Sequence, residues 1–168
     1  LANAFRRAAA DRNIVLRFRH TPLWADSDPL LVERMIANLV SNALRYSSIS
    51  GRVLVVARRR GEQLLIEVRD NGIGIAKEHQ AEIFAEFYQV GNTAREHNKG
   101  LGLGLSIVDR LARALDIQVA LRSRLGEGTT FSLRVPGSPP VTAAAQPEPP
   151  GPKAERAHCI GKSDEMLA

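Results

Sequence analysis

The chain has 168 residues, 44% hydrophobic and 24% charged, which suits one globular domain. Its formal charge of +5 and pI near 10.0 favour an acidic partner: ATP, nucleic acid or an anionic membrane surface. Cys159 is the only cysteine, which excludes an internal disulfide and a multi-cysteine metal site and points to a reducing compartment.

No run reaches the ~18 apolar residues of a membrane span, and the segment Leu1–Arg7 has no apolar signal core. Leu1 in place of Met suggests a piece of a longer protein. Nucleic acid is the weaker option. Aromatics make up only 5%, and no basic stripe is interleaved with them.

Residues 2–12 predict a helix, with Phe5, Ala8 and Ala9 at helical spacing. Ile14, Leu16 and Phe18 alternate as in a strand. Trp24 is expected in the core. Asp26, Ser27 or Asp28 can cap the next helix, with Pro29 in its first turn. That helix, 29–46, has an apolar side of Leu31, Met35, Leu39 and Ala43. Its other side is a polar seam of Arg34, Asn38, Asn42 and Arg45, within about 80° on the wheel. A solvated face is the plain reading. Asn is a poor helix-interior residue, however, and two stacked a turn apart suit a hard cation bound through oxygen.

Val53–Arg60 and Gln63–Asp70 predict a hairpin. Residues 77–85 predict a short helix, and Phe84, Phe87 and Tyr88 a core cluster. Gln89–Lys99 has neither period and predicts a mobile loop. Leu105, Val108, Leu111, Ala112 and Leu115 then mark an amphipathic helix. Ile117–Leu121 and Phe131–Val135 alternate as strands, joined by Gly126-Glu127-Gly128. Beyond Pro136, residues 137–152 are a Pro/Ala/Gly-rich linker and 153–168 a tail expected to be disordered.

Two glycine loops carry the chemistry. Asp70-Asn71-Gly72-Ile73-Gly74 follows a strand and offers a carboxylate; Gly100-Leu101-Gly102-Leu103-Gly104 opens a helix and offers an anion cradle. A purine nucleotide requires that combination. A dinucleotide turn needs a strand directly before its glycines, and Gly100 follows a polar loop instead. Gly161-Lys162-Ser163 lacks the earlier P-loop glycine, because position 156 is Arg156.

The order of the pieces is more specific than any one of them. It runs Asn38-x-x-x-Asn42, Asp70-x-Gly72-x-Gly74, Phe84 with Phe87, Gly100-x-Gly102-x-Gly104, then Gly126-x-Gly128-Thr129. This resembles the N box, first glycine box, F box, second glycine box and final Gly-Thr strand of the ATP-binding catalytic domain of sensor histidine kinases. That domain belongs to the superfamily shared with DNA gyrase, heat-shock ATPase chaperones and MutL. The resemblance covers roughly residues 1–136. It implies an α/β two-layer sandwich, with a mixed, mostly antiparallel sheet and about three helices on one face.

The resemblance also implies roles. Asn42 would coordinate Mg²⁺ on the ATP phosphates, with Asn38 on the same wall. Arg45 would lie near the phosphates and Tyr46 against adenine. Asp70 would accept from the adenine amino group, with Gly72, Gly74 and Ile75 passing the base and Thr129 holding it through water. Gln89–Lys99 would be the ATP lid. Lys99, Gly100, Leu101, Gly102, Leu103, Gly104 and Leu105 would hold the phosphates. Many relatives carry Arg where this chain has Gln89, and the Phe87–Asn92 segment resembles lids of hybrid kinases, in which a receiver domain follows.

The family's phosphoacceptor histidine lies on a separate dimeric helical hairpin and is followed by Glu or Asp. The histidines here precede Thr21, Gln80, Asn98 and Cys159, so none fits. His20 and His79 read as ordinary surface residues. The expected partners are that dimerisation domain and a response regulator or receiver domain, with no nucleic acid and no membrane contact by this fragment. The expected location is cytoplasmic, with an inner-membrane anchor for the parent left open. The rival readings are a gyrase-like ATP-driven clamp and a degenerate module that only docks partners.

Overall fold

The structure is a computed structural model that describes residues 1–90 and 101–137. Asp28 starts the central helix α2 (Pro29–Tyr46): its carboxylate accepts from the N–H groups of Leu30 and Leu31 at 2.9 and 3.0 Å. Two orphan donors of the first turn are thereby satisfied, and Pro29 has no donor to satisfy. Met35, Leu39, Val40, Ala43 and Leu44 form the buried side of α2.

Before it come α1 (Ala2–Ala10) and β1 (Val15–Phe18). The helix expected over 2–12 ends at Ala10, and Asn13 turns the chain with φ +52°. After α2 come β2 (Arg52–Arg60), β3 (Gln63–Asp70), α3 (Gly104–Ala114), β4 (Gln118–Arg124) and β5 (Gly128–Pro136). The sheet order is β1-β2-β3-β5-β4; β1 is parallel to β2, and the other pairs are antiparallel. This is the mixed, mostly antiparallel sheet that the sequence predicts.

Alternation along the strands decides which face is covered. Val53 and Val55 of β2, Leu64, Ile66 and Val68 of β3, and Phe131, Leu133 and Val135 of β5 are buried with Met35, Leu39 and Val108 of the helices in one core. Each such side chain contributes roughly 1.5–3 kcal/mol by leaving water. Among the described residues no helix lies over the opposite face of the sheet, as antiparallel sheets allow.

Three expectations need correction. The helix expected over 77–85 is one 3₁₀ turn, Lys77–His79, followed by turns. Trp24 is 66% exposed rather than in the core, because its segment lies outside the sheet, where no period fixes a face. Phe87 is 65% exposed with φ +63°; of the expected aromatic cluster only Phe84 and Tyr88 pack on the core. Phe84 meets Phe131 edge-on at 6.3 Å.

Gly137 continues past β5, donating to the Glu62 carbonyl at 2.8 Å and bridging to Ala25. The rest of the expected linker, the tail and most of the expected lid lie outside the described residues.

Candidate functional site

The site begins on the polar seam of α2. Asn38 Nδ2 donates to the Arg34 carbonyl one turn back, at 2.9 Å, which leaves Oδ1 facing outward. What it faces is the start of α3. A Cβ built on Gly104 would sit 3.4 Å from Asn38 Oδ1 and 3.6 Å from both polar atoms of the Asn42 amide. A helix N-terminus and two amides therefore converge on one point. Leu103 provides no side-chain cap there, so the first N–H groups of α3 keep their donor capacity and their positive dipole end.

A cavity of about 430 Å³ opens between these elements. Asn38, Asn42, Arg45 and Tyr46 line one wall; Leu101, Gly102, Leu103, Gly104 and Leu105 line the other. Ser41, Ile83, Tyr88, Gln89 and Ile107 complete it. Ser41 and Ile107 lie within the two helices and were recoverable from helical spacing. Ile83 and Tyr88 were not, because the turns that place them have no period. No Asp or Glu lines the cavity among the described residues. Lys99 and Gly100 lie outside the described residues.

Asp70 heads a second group of predicted residues, away from the cavity lining and joined to it through Tyr46. Gly72 is the joint: a Cβ there would fall 2.3 Å from the Tyr46 carbonyl, so only glycine lets the two backbones meet. Ile73 N–H donates to that same carbonyl at 3.1 Å. Asp70 closes β3 opposite Thr129, and its Oδ1 accepts from Gly72 N–H at 2.9 Å. Burial pushes the Asp70 carboxyl above its ordinary value, opposed by the backbone donors of Gly72 and Thr129.

The first glycine loop is held from behind by residues that the motifs do not include. Ser123 Oγ accepts from Ile75 N–H at 2.8 Å, donates to the Gly128 carbonyl at 2.9 Å, and meets Thr129 Oγ1 at 2.9 Å. Gln80 Nε2 donates to the carbonyls of Ile75 and Ser123 at 2.9 and 3.1 Å. Only the β4–β5 register, which sets Ser123 opposite Thr129, could have signalled Ser123. Gln80 gives no sequence signal. His79 is half-buried, and its Nδ1 lies 2.7 Å from the Tyr88 hydroxyl, so it fixes the aromatic wall rather than standing as an ordinary surface residue.

Residues 27–139 match the family described as histidine kinase-, DNA gyrase B-, and HSP90-like ATPase. The chain belongs to this family. Sensor histidine kinase RcsC of Salmonella typhimurium is 36% identical over 115 residues, 68% of this chain and 12% of that protein. Sensor-like histidine kinase SenX3 of Mycolicibacterium smegmatis is 41% identical over 112 residues, 67% of this chain and 29% of that protein. Full-length ShkA, crystallised in complex with AMPPNP, is similar at 26% identity with a TM-score of 0.69, over 82% of this chain and 28% of ShkA. The chain thus spans 12% and 29% of the two curated relatives named.

Proposed function

We propose that this chain is the ATP-binding catalytic module of a two-component sensor histidine kinase. It binds Mg·ATP and presents the γ-phosphoryl group to a histidine on a separate dimerisation domain. The observation that carries the reading is the convergence of the Asn38 and Asn42 amides on the uncapped start of α3, across the cavity.

That geometry fits a metal-bound triphosphate. Amide oxygens are hard ligands suited to magnesium, and helix N–H groups suit phosphate oxygens. Asn42 would hold the metal, with Asn38 beside it. When bound, Mg²⁺ would neutralise charge on the transferring phosphoryl group. Gly102 and Gly104 let the backbone approach the phosphates, and Leu101, Leu103 and Leu105 carry that backbone. Arg45 adds positive charge, and Tyr46 offers a ring face to the base. Asp70, ionised, accepts from the exocyclic amino group of adenine; guanine offers a carbonyl at that position and is repelled. Thr129 and the Gly72–Ile75 loop complete the base site.

In the transfer, the acceptor imidazole nitrogen forms its bond to phosphorus as the bond to the ADP oxygen breaks. With no carboxylate along the described cavity, the residues here act by positioning and by charge, and hydrolysis by water is slow. Among the described residues no helix is long and apolar enough to cross a membrane. The proposed partners are the parent's phosphoacceptor domain and a response regulator or receiver domain.

The test mixes this chain, labelled ATP and the parent's dimerisation domain. Acid-labile phosphohistidine on the dimerisation domain is expected. Label on this chain, or fast steady-state hydrolysis without transfer, would contradict the proposal.

A further inference from the structure

The face of the sheet that no described helix covers carries an unusual charge pattern. On β3, Glu67 points to this face, yet it is only 2% exposed. Its single Oε2 atom binds both Arg58 of β2, at 2.8 Å, and Arg69, at 2.7 Å. One carboxylate thus holds two guanidiniums and neutralises one. Each fork has further N–H donors beyond the one that binds Glu67.

More cations surround this triad. The strand register sets Leu65 between Arg58 and Arg134, and Thr130 between Arg69 and Arg122. Arg60, Arg122 and Arg134 form no ion pair among the described residues. Arg58, Arg60, Arg122 and Arg134 rim a depression of about 430 Å³ floored by Leu65 and Ala120. Each pair in a row is two strands apart, about 10 Å, and the two rows are four residues apart, about 13 Å. Those are backbone separations, and an extended segment laid along them, with same-side carboxylates about 7 Å apart, reaches both rows.

We infer that this face docks an acidic segment of a partner protein. Arginine forks match carboxylates in bidentate geometry, which lysine does not. Single-stranded nucleic acid would need aromatic platforms, and the outward positions of β2–β5 hold none. A membrane would need apolar anchors, and no large hydrophobic residue of β2–β5 is exposed. The face lies across the sheet from the nucleotide cavity, so both can be occupied together. The inference stands apart from the nucleotide reading.

The test is fluorescence anisotropy with a labelled oligo-glutamate peptide and the whole chain at low salt. Wild type binds, and Arg122→Glu/Arg134→Glu weakens binding at least about tenfold. Arg6→Glu/Arg7→Glu makes the same charge change on α1 and leaves the peptide affinity within about twofold. ATP affinity is unchanged in both double variants. The inference is overturned if wild type fails to bind the peptide, or if both double variants lose equally. It is also overturned if duplex DNA or phosphatidylglycerol vesicles bind wild type more tightly than the peptide does.

Discussion

The Arg12 guanidinium donates to the backbone carbonyl of Arg45 at 2.7 Å, across 33 residues of chain. The same side chain donates to the carbonyl of Leu44, and to that of Ser47 at 2.9 Å. A cation from the turn after α1 therefore caps the C-terminus of the helix that supplies the site's amides, where carbonyls lack partners and the dipole is negative. Arg12→Met should destabilise the fold by about 1.5–3 kcal/mol, read by urea denaturation. It should also weaken ATP binding, because the Tyr46 carbonyl at that helix end anchors the first glycine loop. Arg12→Lys should recover part of both losses.

Gly104→Ala separates folding from binding. The added methyl would meet Asn38 and Asn42 only at 3.4–3.6 Å, so the fold accommodates it. Gly104 lacks a positive φ, so Ala there gains roughly 0.4–1 kcal/mol of stability by restricting the unfolded chain. The methyl nevertheless stands where phosphate would approach the amides. Melting temperature should hold or rise while ATP affinity falls. Unchanged affinity would place the phosphates elsewhere.

Gly74 and Gly126 both have positive φ, +68° and +82°, but different surroundings. A Cβ at Gly74 would lie 1.8 Å from the Arg124 carbonyl, and one at Gly126 would meet nothing within 4 Å. Gly126→Ala should cost only the left-handed backbone strain, about 1–2 kcal/mol. Gly74→Ala adds a backbone collision and should cost at least about 1–3 kcal/mol more, both read by denaturant titration.

Asp70 predicts a trade between stability and affinity. Burial raises its pKa, so the folded state takes up a proton more readily than the unfolded state. Its contribution to stability is therefore fullest below the unfolded pKa and is lost as pH rises through the raised folded value. Asp70→Asn should melt higher at pH 7. It should also lose about 1.5–3 kcal/mol of ATP binding, roughly 10–150-fold. Wild-type affinity should fall as acid titrates Asp70, from a higher pH than for an ordinary carboxylate, and Asp70→Asn should lack that step.

The strongly periodic parts were legible. The seam Asn38–Asn42 and the apolar side of α2 follow from 3.6-residue spacing, and the β2–β3 hairpin from alternation. Motif order grouped Asp70 with the second glycine loop, but Asp70 lies away from the cavity that this loop lines, joined to it through Tyr46. The turns after Lys77 were misread because short polar runs fit a helix as well as a turn. Glu67 was unreadable: alternation puts it on the solvent side, and its burial depends on the stems of Arg58 and Arg69. Arg12 was missed because its acceptors are backbone carbonyls, which leave no trace in residue identity.

Calorimetric titration with ATP, with and without Mg²⁺, on wild type and Asn42→Ala tests the pocket most directly. Wild type should bind ATP more tightly with the metal, and Asn42→Ala should lose more affinity for Mg·ATP than for metal-free ATP. No binding to wild type, or equal loss in the variant with and without Mg²⁺, would contradict the assignment.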